Sequence, residues 1–259
     1  ALACVSSARA AQWRWTRGAG WSEGTGRARA MPAEQLRHAY KLERKGEYYD
    51  AAKQYFLLIR VYPDSDEAGV GLQRLAKCLF DMEDFYRSFQ ALEQVIETYP
   101  HTGRMADLVA IEYKIGKKLE TGKYGGLLNE ENPGETARRR ALQVFTAVLQ
   151  HDPYGAYADD ALLSSGNLHL RLQEPDEAKK AFERLVKEFP KSPLVDHARL
   201  GITRADVLRG KATSSDVDRI VKEMRAKGVL RETKPEAEES ESLEQSLNEL
   251  EEVEAKKMW

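Results

Sequence analysis

A helix-ending proline recurs along this chain at a fixed interval, and that interval limits the possible fold more than any single motif. Ala51, Tyr55, Leu58, Ile59, Tyr62 and Pro63 are followed, 37 residues later, by Ser88, Leu92, Val95, Ile96, Tyr99 and Pro100. Ala141, Phe145, Val148, Leu149, Asp152 and Pro153 are followed at the same distance of 37 by Ala178, Phe182, Leu185, Val186, Phe189 and Pro190. Apolar residues at i, i+4, i+7, i+8 and i+11 paint one stripe along a helix. Leu36, Ala39, Tyr40 and Leu42, and then Leu72, Leu75, Ala76 and Leu79, form a second stripe upstream of the first in each unit. Gly46 can turn the chain between the two at no steric cost, and each proline forbids the helix before it from continuing. Each unit is therefore a pair of amphipathic helices. An isolated pair cannot bury both of its apolar faces, so neighbouring pairs must stack.

Ala39, Ala76, Gly116 and Gly166 share one position in the first helix, and Ala51, Ser88, Ala141 and Ala178 one position in the second. Small side chains there let the paired helices approach closely. With proline closing each unit, this pattern resembles the tetratricopeptide repeat from Glu34 to Asp206. The period is longer than the roughly 34 residues usual in that family, and no unit opens on its tryptophan. The resemblance implies an all-α fold, a superhelix of about four to five helix pairs. Pro100 and Pro153 lie 53 apart, and Gly122, Gly125, Gly126, Pro133 and Gly134 collect between them. The expectation is an inserted loop, at about 119–135, between the second and third complete repeats.

Lys+Arg 40 against Asp+Glu 42 leaves a net charge of −2, which excludes a nucleic-acid binder that must neutralise many phosphates. Two cysteines in 259 residues make no disulfide framework, and the five histidines, His38, His101, His151, His169 and His197, are scattered without metal-ligand spacing. No metal and no cofactor is expected. Nucleophile elbow, zinc-protease motif and phosphate loop are all missing, so no catalytic residue is assigned and the chain reads as a binding scaffold rather than an enzyme. Cys78, between Ala76 and Leu79, reads as a buried small hydrophobe.

The ends differ in polarity. Residues 1–30 carry Arg9, Arg14, Arg17, Arg27 and Arg29, with Trp13, Trp15 and Trp21. The opening Ala1-Leu2-Ala3-Cys4 is similar to a bacterial lipoprotein signal junction, which makes Cys4 a candidate for lipidation; the alternative is a true start at Met31. The repeat domain is expected over 31–228. The acidic tail, 229–259, has the composition of a segment that stays largely disordered, although Leu243, Leu247, Leu250 and Val253 sit at helical spacing.

Cys4, the tryptophan-rich tether and units ending in Tyr62-Pro63-Asp64-Ser65 and Phe189-Pro190-Lys191-Ser192 together resemble the BamD-type outer-membrane assembly lipoproteins. Gly46-Glu47-Tyr48-Tyr49-Asp50-Ala51-Ala52 and Tyr157-Ala158-Asp159-Asp160-Ala161 support the likeness. It implies a lipid-anchored protein on the periplasmic face of the outer membrane. Its partners would be a BamA-type β-barrel insertase, other assembly lipoproteins and unfolded outer-membrane proteins. The competing reading is a periplasmic adaptor in cell-envelope division or peptidoglycan remodelling.

Carried across unit by unit, the family's groove positions fall on Tyr40 and Arg44, Gln73 and Lys77, Tyr113 and Lys117, and Asn167 and Arg171. Every unit then offers a cation beside an aromatic or amide side chain, a combination that can hold an acidic or carboxylate-ended peptide. The alternative is ordinary solvated helix charge, since 32% of the chain is charged.

Overall fold

The computed structural model describes residues 28–122 and 132–229, together with the backbone of two short strands before them. The expectations for Cys4, for the acidic tail and for most of the inserted loop fall outside these residues. Ten α-helices form the described array: α1 (Pro32–Glu43), α2 (Tyr48–Val61), α3 (Asp66–Asp81), α4 (Phe85–Thr98), α5 (Met105–Glu120), α6 (Pro133–His151), α7 (Ala158–Arg171), α8 (Pro175–Glu188), α9 (Val195–Leu208) and α10 (Ser214–Ala226). They pair as α1/α2 through α9/α10. Each helix packs on the next, and first helices also touch across pairs, α1 with α3 and α7 with α9. The result is a two-layer stack, the all-helical repeat superhelix expected from the periodicity.

The turns within four of the five pairs share one device. At the end of α1 the Gly46 amide donates to the Glu43 carbonyl and the Glu47 amide to the Leu42 carbonyl. This double closure satisfies carbonyls left open by the helix and needs a left-handed residue at its centre. Gly46 has φ 77°, and the residues at the same place in the second, fourth and fifth pairs are Glu83 (φ 61°), Gln173 (φ 60°) and Gly210 (φ 69°). The amide of each, with that of the residue after it, makes the same two bonds. Helix starts are also signalled locally. Pro133 and Pro175 open α6 and α8, and Thr213 with Asp216 caps α10 reciprocally.

Between pairs, the amides of Tyr62, Tyr99, Asp152 and Phe189 close the second helices onto Leu58, Val95, Val148 and Leu185. The proline that follows each of them holds its predecessor out of the helical region. Tyr99 then ties one pair to the previous one, its hydroxyl donating to the Pro63 carbonyl at 2.7 Å.

The core runs along the seam between the layers. Tyr55, Leu92, Phe145 and Phe182, equivalent positions of successive second helices, are all fully buried. Gly116 and Gly166 face the last two of these rings: a Cβ on Gly116 would stand 2.6 Å from Phe145, and one on Gly166 would overlap Phe182. In the second pair Ser88 donates to the Ala76 carbonyl at 2.7 Å, which fixes the same close approach by a hydrogen bond.

Two features differ from expectation. The long connection, 121–132, falls inside the third pair, between α5 and α6, so the interruption separates two partners rather than two repeats. Within the tryptophan-rich stretch the chain forms an antiparallel hairpin, β1 (Arg14–Thr16) and β2 (Gly20–Ser22), with Trp15 opposite Trp21. Among the described residues no helix is long and apolar enough to cross a membrane.

A non-glycine residue in the left-handed region carries strain of about 1–2 kcal/mol, partly offset by the greater unfolded-state entropy of glycine. Glu83→Gly and Gln173→Gly should therefore each stabilise the chain by about 0.5–1 kcal/mol, while Gly210→Ala should cost about 1 kcal/mol. Urea unfolding followed by circular dichroism checks the three signs.

Candidate functional site

The first helices of successive pairs line one layer of the stack, and two clefts open between them. One, of roughly 430 Å³, lies between α3 and α5 and is walled by Gln73, Arg74, Lys77, Phe80, Asp81, Ile111 and Lys114. The other, of roughly 560 Å³, lies where α7, α9 and α10 meet and is walled by Asn167, Leu170, Arg171, Arg204, Val207, Leu208 and Val217. Both combine exposed cations with an apolar floor, a surface on which an extended polypeptide can lay side chains while its carboxylates find a guanidinium or ammonium partner.

The structure distributes the eight expected groove residues unevenly. Gln73 with Lys77 and Asn167 with Arg171 stand in these clefts. Tyr40 is half-buried, edge-on to Tyr55 at 6.1 Å, and belongs to the wall between α1 and α3. Arg44 is exposed at the C-cap of α1. Tyr113 stacks on Tyr157 at 4.7 Å and 22°. Burial, with Asp160 and Glu120 nearby, pushes its phenol up to about 12, so it stays neutral. Lys117 pairs with Glu120 and reaches Ser164 Oγ at 3.2 Å, bridging α5 to α7.

Lys77 is held by Asp81 and lies 5.7 Å from the Tyr48 ring centroid. The Asp81 hydrogen bond raises its pKa further, so it is charged at any physiological pH. Several expected ligands thus already have partners within the fold, and a bound peptide must share or displace them.

Unit-by-unit transfer passed over Arg74, the residue next to Gln73. Its guanidinium lies 4.8 Å from the Tyr40 ring centroid, its Nε donates to the Tyr40 hydroxyl at 3.1 Å, and its Nη1 meets Glu43 at 3.3 Å. Glu43 also accepts from the buried Tyr55 hydroxyl. Arg74 therefore closes the α1–α3 seam and presents its charge to the neighbouring cleft. Unit-by-unit reading likewise missed Glu93, Glu112 and His151, which the fold gathers from three different helices. Burial pushes the Glu112 carboxyl up to about 7 against the opposing pull of its His151 hydrogen bond.

Two segments of the chain, residues 71–102 and 160–192, match the tetratricopeptide repeat family. They correspond to most of the α3/α4 and α7/α8 pairs. Among curated proteins the chain is similar to the aspartyl/asparaginyl beta-hydroxylases of Mus musculus, 27% identical over 158 residues, and Homo sapiens, 26% over 156. The match takes in 60% of this chain and 19% of each hydroxylase, so the chain spans about a fifth of the length of these relatives. Among solved structures it is similar to a tetratricopeptide repeat protein from Parabacteroides merdae, at 18% identity and TM-score 0.45 over 76% of this chain and 66% of that one. It is also similar to MamA from Desulfovibrio magneticus, at 14% identity and TM-score 0.43 over 80% of this chain and 100% of that one. The matched segments lie in the α3/α4 and α7/α8 pairs, and tetratricopeptide repeat arrays commonly serve as scaffolds for protein–protein contact. Repeat arrays of this kind are typically non-enzymatic.

Cys78 belongs to the buried core. It is fully buried, and that burial pushes its thiol up to about 12. In a Cys4→Ser chain at pH 8, Ellman's reagent should find no reactive thiol until denaturant opens the fold. Full reaction under native conditions would contradict this packing.

Proposed function

We propose that the first-helix layer is a receptor for extended, acidic or carboxylate-ended polypeptide, and that the chain works as an outer-membrane lipoprotein scaffold of the β-barrel assembly machinery. In this reading Cys4 carries the lipid, the layer receives unfolded outer-membrane proteins, and the array docks on a BamA-type insertase. The observation that carries the binding half is the pair of cation-lined clefts between first helices, with Arg74, Lys77 and Lys114 at one and Arg171 and Arg204 at the other. What supports the cellular half is the likeness of the repeat-ending Tyr62-Pro63-Asp64-Ser65, the Tyr157 to Ala161 segment and the Ala3-Cys4 junction to that lipoprotein family.

Charge-assisted contacts in partly exposed clefts contribute about 1.5–3 kcal/mol each at most, and screening reduces them. Reversing Lys77 and Arg171 together to glutamate should therefore weaken binding of an acidic peptide at least tenfold at low salt, read by fluorescence anisotropy. Unchanged affinity would remove the clefts from the proposal. Membranes expressing the tagged chain should yield a β-barrel insertase on affinity purification, and palmitate label that depends on Cys4. Purification without an insertase would remove the assembly-machinery role while leaving the peptide receptor standing.

A further inference from the structure

Where the second pair meets the third, one side chain from each of three consecutive helices converges: Glu93 of α4, Glu112 of α5 and His151 of α6. One ligand-capable atom from each lies within 4.8 Å of the other two. His151 Nδ1 stands 3.0 Å from Glu112 Oε2, and its Nε2 is 3.7 Å from Glu93 Oε1. Glu112 has no exposed surface at all. Its Oε1 and Glu93 Oε1 are both buried without a hydrogen-bond partner. Leaving such an atom unsatisfied costs about 1–3 kcal/mol, and more when it is charged. The His151 imidazole meets only part of this demand, because its Nδ1 contact is spent on Glu112 Oε2 and 3.7 Å is too long for a second hydrogen bond.

We infer that Glu93, Glu112 and His151 form a binding site for a divalent transition-metal ion of the zinc class. Two carboxylates and one neutral imidazole balance a charge of 2+, and both orphaned oxygens gain a partner. Zinc–oxygen and zinc–nitrogen bonds of about 2.0–2.2 Å set tetrahedral ligand atoms roughly 3.4 Å apart. The ligand that must turn to close the present 4.8 Å spread is Glu93, whose side chain keeps 32% of its exposure. An imidazole among carboxylates favours zinc, iron or manganese over calcium and magnesium, which prefer all-oxygen shells. Glu93 also lines an open cleft of roughly 740 Å³ between α4, α6, α7 and α8, which gives the ion a path from solvent and leaves its fourth position to water. A metal here would staple the second pair to the third, on both sides of the long connection that separates α5 from α6.

The test is titration of the metal-stripped 259-residue chain with zinc chloride, read by calorimetry and thermal unfolding. The wild type should bind one zinc tightly, and at a zinc concentration about a hundredfold above Kd its Tm should rise by about 5–10 °C, reversibly on adding EDTA. Glu93→Gln and Glu112→Gln should each weaken that binding at least tenfold and abolish the rise. Glutamine keeps the shape and removes a charge, so both variants should fold, which circular dichroism verifies. If Glu112→Gln does not fold, Glu93→Gln at the half-buried rim decides alone. Zinc affinity unchanged in the folded variants, or a wild type whose Tm ignores zinc, would overturn the inference.

Discussion

In the third and fourth pairs the fold depends on the contact between a large ring in the second helix and a glycine in the first. Phe182 shows it most clearly, because its ring is pressed between Gly166 of its own pair and Gly201 of the next. A Cβ on Gly201 would stand 2.5 Å from the ring, and one on Gly166 would overlap it. Burying the ring contributes about 2–3 kcal/mol by area alone. That gain is available only if two backbones come within reach of its two edges. One residue thus sets two interhelix distances, within a pair and between pairs, and repetition of the arrangement builds the stack. Phe145 against Gly116 repeats the intrapair half of it.

Fixed interhelix spacing is also what makes a receptor surface. Because second helices bring the first helices to set distances, the clefts between α3 and α5 and beside α7 and α9 are formed before any ligand arrives, and little ordering cost falls on binding. The Arg74, Tyr40, Glu43 and Tyr55 network stiffens the first seam. Glu93, Glu112 and His151 meet where the second pair packs on the third, next to the pair that the long connection interrupts.

What was legible in the sequence is what repeats. Period, apolar stripes and prolines placed the helix pairs, and the small residues at Gly116 and Gly166 marked the close approach that the rings require. The insertion was visible at about 119–135, and what the prolines could not show is that it parts α5 from its own partner α6, since they mark only the ends of second helices. The left-handed turns at Glu83 and Gln173 were hidden by their side chains, although each lies 37 residues from Gly46 or Gly210 and the period alone pointed to them. A hairpin with three-residue strands is too short to show alternation. Arg74 against Tyr40, and His151 against Glu112 and Glu93, are meetings across 34 or more residues with no shared motif, so only the folded chain displays them.

The central claim is that the Phe182 ring fills the space that Gly166 leaves, and a double-mutant cycle on this pair tests it most directly. Alanine has the better helix propensity by about 1 kcal/mol, so an unconstrained Gly166→Ala should stabilise α7. Overpacking against a ring with no room to move costs about 1–3 kcal/mol and should win in the wild type. In a Phe182→Leu background the same substitution should turn neutral or stabilising in urea unfolding. An equal effect of Gly166→Ala in both backgrounds would show that ring and glycine are not coupled, and the account of how these helices stack would fail.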